Sequence, residues 1–212
     1  MINKEFQKRI ISSIILIPIT LFFIFQGSIF FAFFLGLLLL ASSYEWLKMC
    51  KKNYLMKFLG IIFLFFSFYS CFYIRENSGL SLFLLIILIC IFTDIGGYIF
   101  GNIFKGPKLI KLSPKKTYAG VIGSFLFSLI AGLTFIEIIE SIYLETQYLI
   151  TILSILIVSL ISQIGDLIIS FFKRKAKLKD TGKILPGHGG LLDRIDGLIF
   201  VMPIVYLKLF VI

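Results

Sequence analysis

Cysteine is scarce in this chain: Cys50, Cys71 and Cys90 are the only three. An odd number with no short spacing argues against a disulfide framework or a cysteine zinc site and leaves small apolar filler as their role. Charge is scarce too, at 15% of residues, and acids are outnumbered 11 to 21 by Lys and Arg. No polar stretch is long enough for a separate soluble domain, no internal repeat recurs and no low-complexity tract is present. Lys4, Lys8 and Arg9 precede an apolar run in the manner of a secretory signal. No small-x-small cleavage site follows, so the run is expected to stay as a first helix. The single tryptophan, Trp46, and its neighbour Tyr44 are expected to anchor at a membrane interface rather than to line a ligand box.

What the chain has instead is hydrocarbon. Of its 212 residues 59% are hydrophobic, and mean hydropathy is +1.04. Apolar runs of the length needed to cross a bilayer, about 20 residues, recur throughout. The fold class expected is an all-α integral membrane protein, a single transmembrane domain over 1–212 with about seven helices. They are placed at Arg9–Gln26, Ser28–Leu47, Tyr54–Ile74, Leu80–Phe100, Tyr118–Ile139, Tyr148–Phe172 and Leu191–Ile212. An N-in, C-out path through these seven puts 19 of the 21 Lys and Arg on the cytoplasmic side, leaving only Arg75 and Lys208 outside. The net charge of +10 is thus gathered on one face. That pattern points to anionic lipid headgroups as partners and away from nucleic acid.

One stretch is unlike the rest: S-F-F-K-R-K-A-K-L-K-D-T-G-K-I-L-P-G-H-G-G-L-L-D-R-I-D, Ser170 to Asp196, which contains the only histidine. Taken alone, its basic residues are also what the positive-inside rule gives any cytoplasmic loop. That rule does not account for the Pro186–Gly190 turn or for D-R-I-D entering an apolar run. Lys173, Arg174, Lys179 and Lys183 can neutralise phosphate oxygens. Gly-rich backbone at Gly189 and Gly190 lets N–H groups approach an anion. Asp193 and Asp196, three apart where a helix is expected to begin, would share a face. Carboxylates among cations suit a metal-phosphate site, with oxygen ligands that favour Mg²⁺.

Three other constellations carry polar chemistry. Asp94, in T-D-I-G-G-Y, lies inside an expected span, where a carboxylate costs about 2.5–3.5 kcal/mol to insert. Its alternative reading is a structural pairing with a lysine. Lys115, Lys116 and Thr117 stand at the start of the fifth span, as a phosphate cradle or as an ordinary polar loop with a helix cap. Asp166, in S-Q-I-G-D-L, lies roughly 10 Å below the cytoplasmic end of the sixth span at 1.5 Å per residue. A hydrogen bond from a protonated Asp within the bundle is its alternative.

The long stretch resembles the signature of the phosphatidate cytidylyltransferases, or CDP-diacylglycerol synthases. Ser170, Lys173, Arg174, Lys179, Asp180, Gly182, Leu185, Pro186, His188, Gly189, Gly190, Asp193, Arg194 and Asp196 all stand at the spacing of that pattern. The other constellations resemble further elements of the same family. Asp94, Tyr98 and Gly101 match one, with Gly97 in place of the usual Ala. Ser113, Pro114, Lys115, Lys116, Thr117 and Gly120 match a second, with Tyr118 for Trp and Ala119 for Glu or Gln. Ser162, Gly165, Asp166 and Leu167 match a third. Members of the family are longer and carry eight or nine spans, so this chain looks one or two helices short ahead of Asp94.

The resemblance implies transfer of CMP from CTP to phosphatidic acid, giving CDP-diacylglycerol and pyrophosphate, at a site near the cytoplasmic face of a bacterial inner membrane. Asp166 and Asp193 are then expected to share Mg²⁺, with a second cation allowed, and Asp94, Asp196 and Lys179 to support catalysis. Lys115, Lys116, Thr117, Lys173, Arg174, Asp180, His188, Gly189, Gly190 and Arg194 are expected to bind substrate. His188 is open between phosphate binding, orienting a carboxylate and a structural place in the turn. A homodimer is allowed but not required. Two rival functions are a CTP-dependent lipid-alcohol kinase, which would need a general base, and a small transporter, whose charges would reach deeper into the membrane.

Overall fold

The computed structural model describes residues 4–50, 53–110, 113–139 and 148–211. They form eight helices and one β-hairpin in the order α1 (Lys4–Gln26), α2 (Ser28–Met49), α3 (Tyr54–Asn77), α4 (Leu80–Ile103), β1 (Lys108–Ile110), β2 (Ser113–Thr117), α5 (Tyr118–Ile138), α6 (Tyr148–Lys175), α7 (Leu192–Ile195) and α8 (Leu198–Val211). Six of them, α1 to α6, are long and apolar enough to cross a membrane, and α8 is a shorter apolar helix. Their outward faces stay hydrocarbon: Ile14, Ile29, Phe65, Ile130 and Leu149 are all exposed. Apolar surface on all sides suits a lipid solvent and would be a liability in water.

The segment expected as a seventh span is interrupted. Helix α7 stops at Ile195 and α8 begins at Leu198. Between them the Asp196 carboxylate takes the Gly197 N–H at 3.0 Å, so the side chain competes with the helical ladder. Asp193 and Asp196 therefore do not lie on one continuous helix, which corrects the shared face expected from their spacing. The hairpin also went unforeseen. It pairs Lys108 with Thr117 and Ile110 with Ser113, across a polar run that read as loop.

The residues group into two compact units, 1–80 with 172–195, and 81–171 with 196–212. In the first, the α1–α2 junction is a sharp bend at Gly27 (φ 67°) and Ser28 (φ 46°). Arg75 satisfies the orphan carbonyls at the end of α1, donating to Ile24 O and Phe25 O at 2.9 Å each. Glu76 accepts the Ser28 N–H that opens α2, at 2.8 Å. A cation at a helix C-terminus and an anion at the next N-terminus both oppose the exposed backbone charge. Trp46 is not an interfacial anchor: it is 7% exposed and fits against Gly60, where any Cβ would overlap its indole. Its Nε1–H donates to Met56 O at 3.0 Å and its ring meets Phe172 edge-on at 4.8 Å. Tyr44 beside it is exposed. All three cysteines are buried and none is in a disulfide among the described residues, as suits small fillers.

In the second unit, α4 and α5 approach backbone to backbone through glycines. A Cβ on Gly96 would overlap Gly123 O, and one on Gly120 would sit 2.9 Å from Gly97 O. Such small-residue seams are how helices pack where lipid removes the hydrophobic drive. A hydroxyl fastens the seam, Ser124 Oγ donating to Thr93 O at 2.8 Å, and Thr93 Oγ1 in turn ties α4 to α6 through Ser159 Oγ at 2.9 Å. Gly165 and Gly197 serve the same purpose between α6 and α8, where Cβ atoms would press on Phe200 and Ser162.

Candidate active site

The signature segment folds as a basic loop that runs from the end of α6 into α7. Helix α6 closes with Leu178 N–H donating to Lys173 O and Lys177 N–H to Arg174 O, at 2.9 and 3.0 Å. That is the paired bonding of a Schellman stop, with Lys177 (φ 57°) where Gly is usual. A tight turn follows: Leu185 and Gly189 exchange backbone bonds, and Gly187 (φ 76°) and Gly189 (φ 91°) both need the left-handed region that Gly tolerates. Gly190 is needed for space instead, because a Cβ there would overlap Thr181 Oγ1.

Asp193 is the centre of this loop. Lys173 Nζ donates to its Oδ1 at 2.6 Å, and Thr181 donates to its Oδ2 through the backbone N–H at 2.7 Å and the hydroxyl at 3.0 Å. The ion pair is sheltered, with side-chain exposures of 15% for Lys173 and 10% for Asp193. Around it Arg174, Lys179, Asp180, Lys183 and Arg194 are exposed, so the loop presents cations to solvent about a fixed carboxylate. Arg194 is partly committed, donating to His188 O at 2.6 Å.

His188 faces α1. Ser12 Oγ lies 2.8 Å from its Nδ1 and Ser13 Oγ 3.3 Å from its Nε2. Ser12 also reaches Pro186 O at 3.0 Å, and Arg9 Nε donates to Gly187 O at 2.8 Å. Both imidazole nitrogens thus have hydroxyl neighbours, and the turn is stitched to the first helix at three successive residues. Arg9, Ser12 and Ser13 escaped the sequence reading, because nothing local marks an arginine and two serines at the start of an apolar helix as partners of a turn 174–178 residues away.

A further missed residue is Glu45 on α2. It is 0% exposed, and accepts from Leu191 N–H at 3.0 Å, Leu192 N–H at 2.9 Å and Thr181 Oγ1 at 2.8 Å. It is the one acid of α2, set among Ser42, Ser43, Tyr44 and Lys48, and nothing there points to the signature loop.

The second unit holds the other carboxylates. Lys116 Nζ pairs with Asp166 Oδ2 at 2.5 Å and donates to Gln163 O at 3.2 Å, while Ser170 Oγ donates to Asp166 Oδ1 at 3.3 Å. Thr117 caps α5, its Oγ1 accepting from Gly120 N–H at 3.1 Å. That is a capping role for a residue expected to hold substrate. Asp196 is buried and Asp94 exposed on α4. The side chain of Lys115 lies outside the described residues. The structure therefore brings Asp193, Lys173 and Thr181 together in one unit, and Asp166 with Lys116 in the other. Among the described residues no three His, Cys, Asp or Glu side chains converge as a ready-made metal cage.

Comparison with known proteins places the chain in a family. A family model described as "Cytidylyltransferase family" matches residues 51–212. A protein of Rickettsia bellii (strain RML369-C) called phosphatidate cytidylyltransferase is 35% identical over 207 residues, covering 93% of this chain and 88% of that relative. Proteins of the same name from Staphylococcus aureus (strain COL) and Staphylococcus haemolyticus (strain JCSC1435) are 40% and 37% identical over 153 residues. In both comparisons 72% of this chain aligns, and it spans 55% of the staphylococcal protein's length. With most of its length, including the whole signature loop, inside the matched region, this membrane protein belongs to the cytidylyltransferase family.

Proposed function

We propose that this chain transfers CMP from CTP to phosphatidate, releasing pyrophosphate. The observation that carries the reading is the folded signature loop: exposed Lys179, Lys183 and Arg174 around the sheltered Lys173–Asp193 pair. The reaction brings two anions together. A phosphate oxygen of phosphatidate forms a bond to the α-phosphorus of CTP, and the bond from that phosphorus to the bridging oxygen of the β-phosphate breaks. The acceptor is already ionised, so no strong base is required, and the barrier lies in charge repulsion and in the charge developing on pyrophosphate. Lys173, Arg174, Lys179 and Arg194, all in one loop, are the cations suited to neutralise it. The absence of a need for a base is also what separates this reading from a lipid-alcohol kinase.

A divalent cation fits the donor chemistry. Asp166 and Asp193 offer hard oxygens, and each already holds a lysine ammonium at ion-pair distance. Mg²⁺ is commonly held by one or two carboxylates, the rest of its shell being water and substrate phosphate, so a three-residue cage is not needed. Asp193 in the first unit and Asp166 in the second are each suited to hold such a cation, which when bound would offset phosphate charge. Its loss should abolish turnover, which chelation and back-titration with Mg²⁺ would measure.

We further place the amino terminus on the cytoplasmic side of a bacterial inner membrane, because that orientation gathers the positive loops on one face. The deciding assay is purified protein with labelled CTP, phosphatidate and Mg²⁺, followed by detection of CDP-diacylglycerol. Turnover with CTP or dCTP and little with ATP, GTP or UTP is expected; equal turnover with ATP would overturn the assignment.

A further inference from the structure

Glu45 belongs to no motif of the proposed chemistry, yet the signature loop is built around it. A carboxylate wholly removed from solvent costs several kcal/mol unless it is compensated. Among the described residues Glu45 has no ion-pair partner; its compensation is three hydrogen-bond donors, all from the loop. The loop in turn is shaped to admit it. A Cβ on Gly182 would overlap Oε1, and one on Gly190 would lie 2.8 Å from Oε2.

The hydroxyl of Thr181 stands between two carboxylates, 2.8 Å from Glu45 Oε2 and 3.0 Å from Asp193 Oδ2. It has one proton, so it can make one full hydrogen bond at a time. The two acids differ in what remains when that proton is elsewhere. Glu45 keeps the N–H groups of Leu191 and Leu192, which are fixed backbone. Asp193 keeps the Thr181 N–H and Lys173, whose ammonium is on a flexible stem.

We propose that Glu45 is the positioning residue of the signature loop: it fixes the loop at Thr181 and at Leu191–Leu192, so that Asp193 can give up its hold on Lys173 and Thr181 during turnover without the loop opening. This rests on the function proposed above for Asp193, while the anchoring itself does not. Glu45 is the permanent end of the linkage and Asp193 the releasable end. The Thr181 hydroxyl turns its hydrogen bond wholly to Glu45 whenever Asp193 turns to substrate.

The test is amide hydrogen exchange on the full chain in detergent, read beside kinetics. Glu45→Gln keeps the shape but turns an NH₂ toward backbone donors, and should speed exchange at Leu191 and Leu192 at least tenfold. Asp193→Asn should leave those two amides as protected as in the wild type. In turnover, Glu45→Gln should raise the Mg²⁺ concentration for half-maximal rate about tenfold. A purely structural role would lower the amount of folded enzyme and leave that concentration unmoved. Thr181→Ser should restore wild-type behaviour. Thr181→Val, which leaves Glu45 and its two N–H donors in place, should fold and still show the Mg²⁺ shift, and so covers the case in which Glu45→Gln does not fold. Equal opening in Asp193→Asn and Glu45→Gln would overturn the proposal, as would an unchanged Mg²⁺ requirement in both Glu45→Gln and Thr181→Val. A wild type inactive with CTP and phosphatidate would defeat the functional reading alone, since the exchange comparison still decides the anchor.

Discussion

Gly190→Ala adds one methyl group where the signature loop crosses itself. The backbone there is not in the left-handed region, so the cost is steric rather than torsional. The new Cβ would overlap Thr181 Oγ1, and would lie 2.6 Å from Gly182 N and 2.8 Å from Glu45 Oε2, where ordinary contact begins at 3.4 Å. Turning Thr181 about χ1 relieves the first clash but forfeits its hydroxyl bond to a carboxylate, about 1.5–3 kcal/mol. Gly182 N is backbone and has no rotamer to change, so the loop must also shift, an overpacking cost of about 1–3 kcal/mol. Together these give about 3–6 kcal/mol, which for a chain of this size lowers the melting temperature by roughly 6–24 °C. Gly36→Ala on α2 is the control, because a Cβ there meets nothing within 4 Å. It should be neutral or slightly stabilising through helix propensity. Thermal unfolding in detergent, followed by intrinsic fluorescence, would compare the two. A Gly190→Ala protein that melts within about 2 °C of the wild type would refute the packing argument, since 1 kcal/mol already moves a chain of this size by about 2–4 °C.

Asp166→Asn and Asp193→Asn should each reduce turnover at limiting Mg²⁺ at least a hundredfold in the labelled-CTP assay with the protein still folded, whereas exposed Asp180→Asn should cost less than tenfold. In the α4–α5 seam, Gly96→Ala should lower the melting temperature more than Gly97→Ala. The first drives a methyl into Gly123 backbone, and the second meets the Ser124 hydroxyl at 2.7 Å, which can rotate away. Burial pushes the Cys50 thiol up, against the opposing pull of Lys175 and Lys57. Its thiolate is therefore depleted at neutral pH, and in a Cys71→Ser, Cys90→Ser background maleimide labelling should be slower than for a small free thiol at pH 7–8. A rate equal to the free thiol's would contradict it.

The helices were legible because their signal is local. Ser28 to Leu47 and Tyr148 to Phe172 each read as one predominantly apolar run, and α2 and α6 extend only two or three residues beyond those bounds. Asp193 and its partner Lys173 stood out together for the same reason, being 20 apart within one distinctive stretch. What escaped was anything created by contact between distant segments. Glu45 lies 136 residues from Thr181, and Ser12 lies 176 from His188, and neither bears a mark in its own neighbourhood. Trp46 was misplaced by the same blindness: an aromatic near a span end reads as a lipid anchor until Gly60 and Phe172 are seen to enclose it. The break at Asp196–Gly197 was hidden because hydropathy registers composition, and a side chain that takes its own neighbour's N–H leaves no trace in it.

The discontinuity of the first unit bears on how the protein is made. Residues 1–80 leave the ribosome well before residues 172–195, with 81–171 synthesised between. At about 5–20 residues per second, that interval lasts roughly 5–20 s. Throughout it, Glu45 has none of the Thr181, Leu191 and Leu192 donors that it holds in the finished fold, and Ser12 has no His188 to meet. A carboxylate awaiting its donors in an apolar helix is costly to bury. The early helices are therefore pressed to keep the end of α2 in water, or in the grip of an insertion factor, until the loop is delivered. Assembly of the site is then the closing step of biogenesis, and a nascent chain arrested before Asp193 should still be open to attack at the Glu45 end of α2, where the finished protein is sealed.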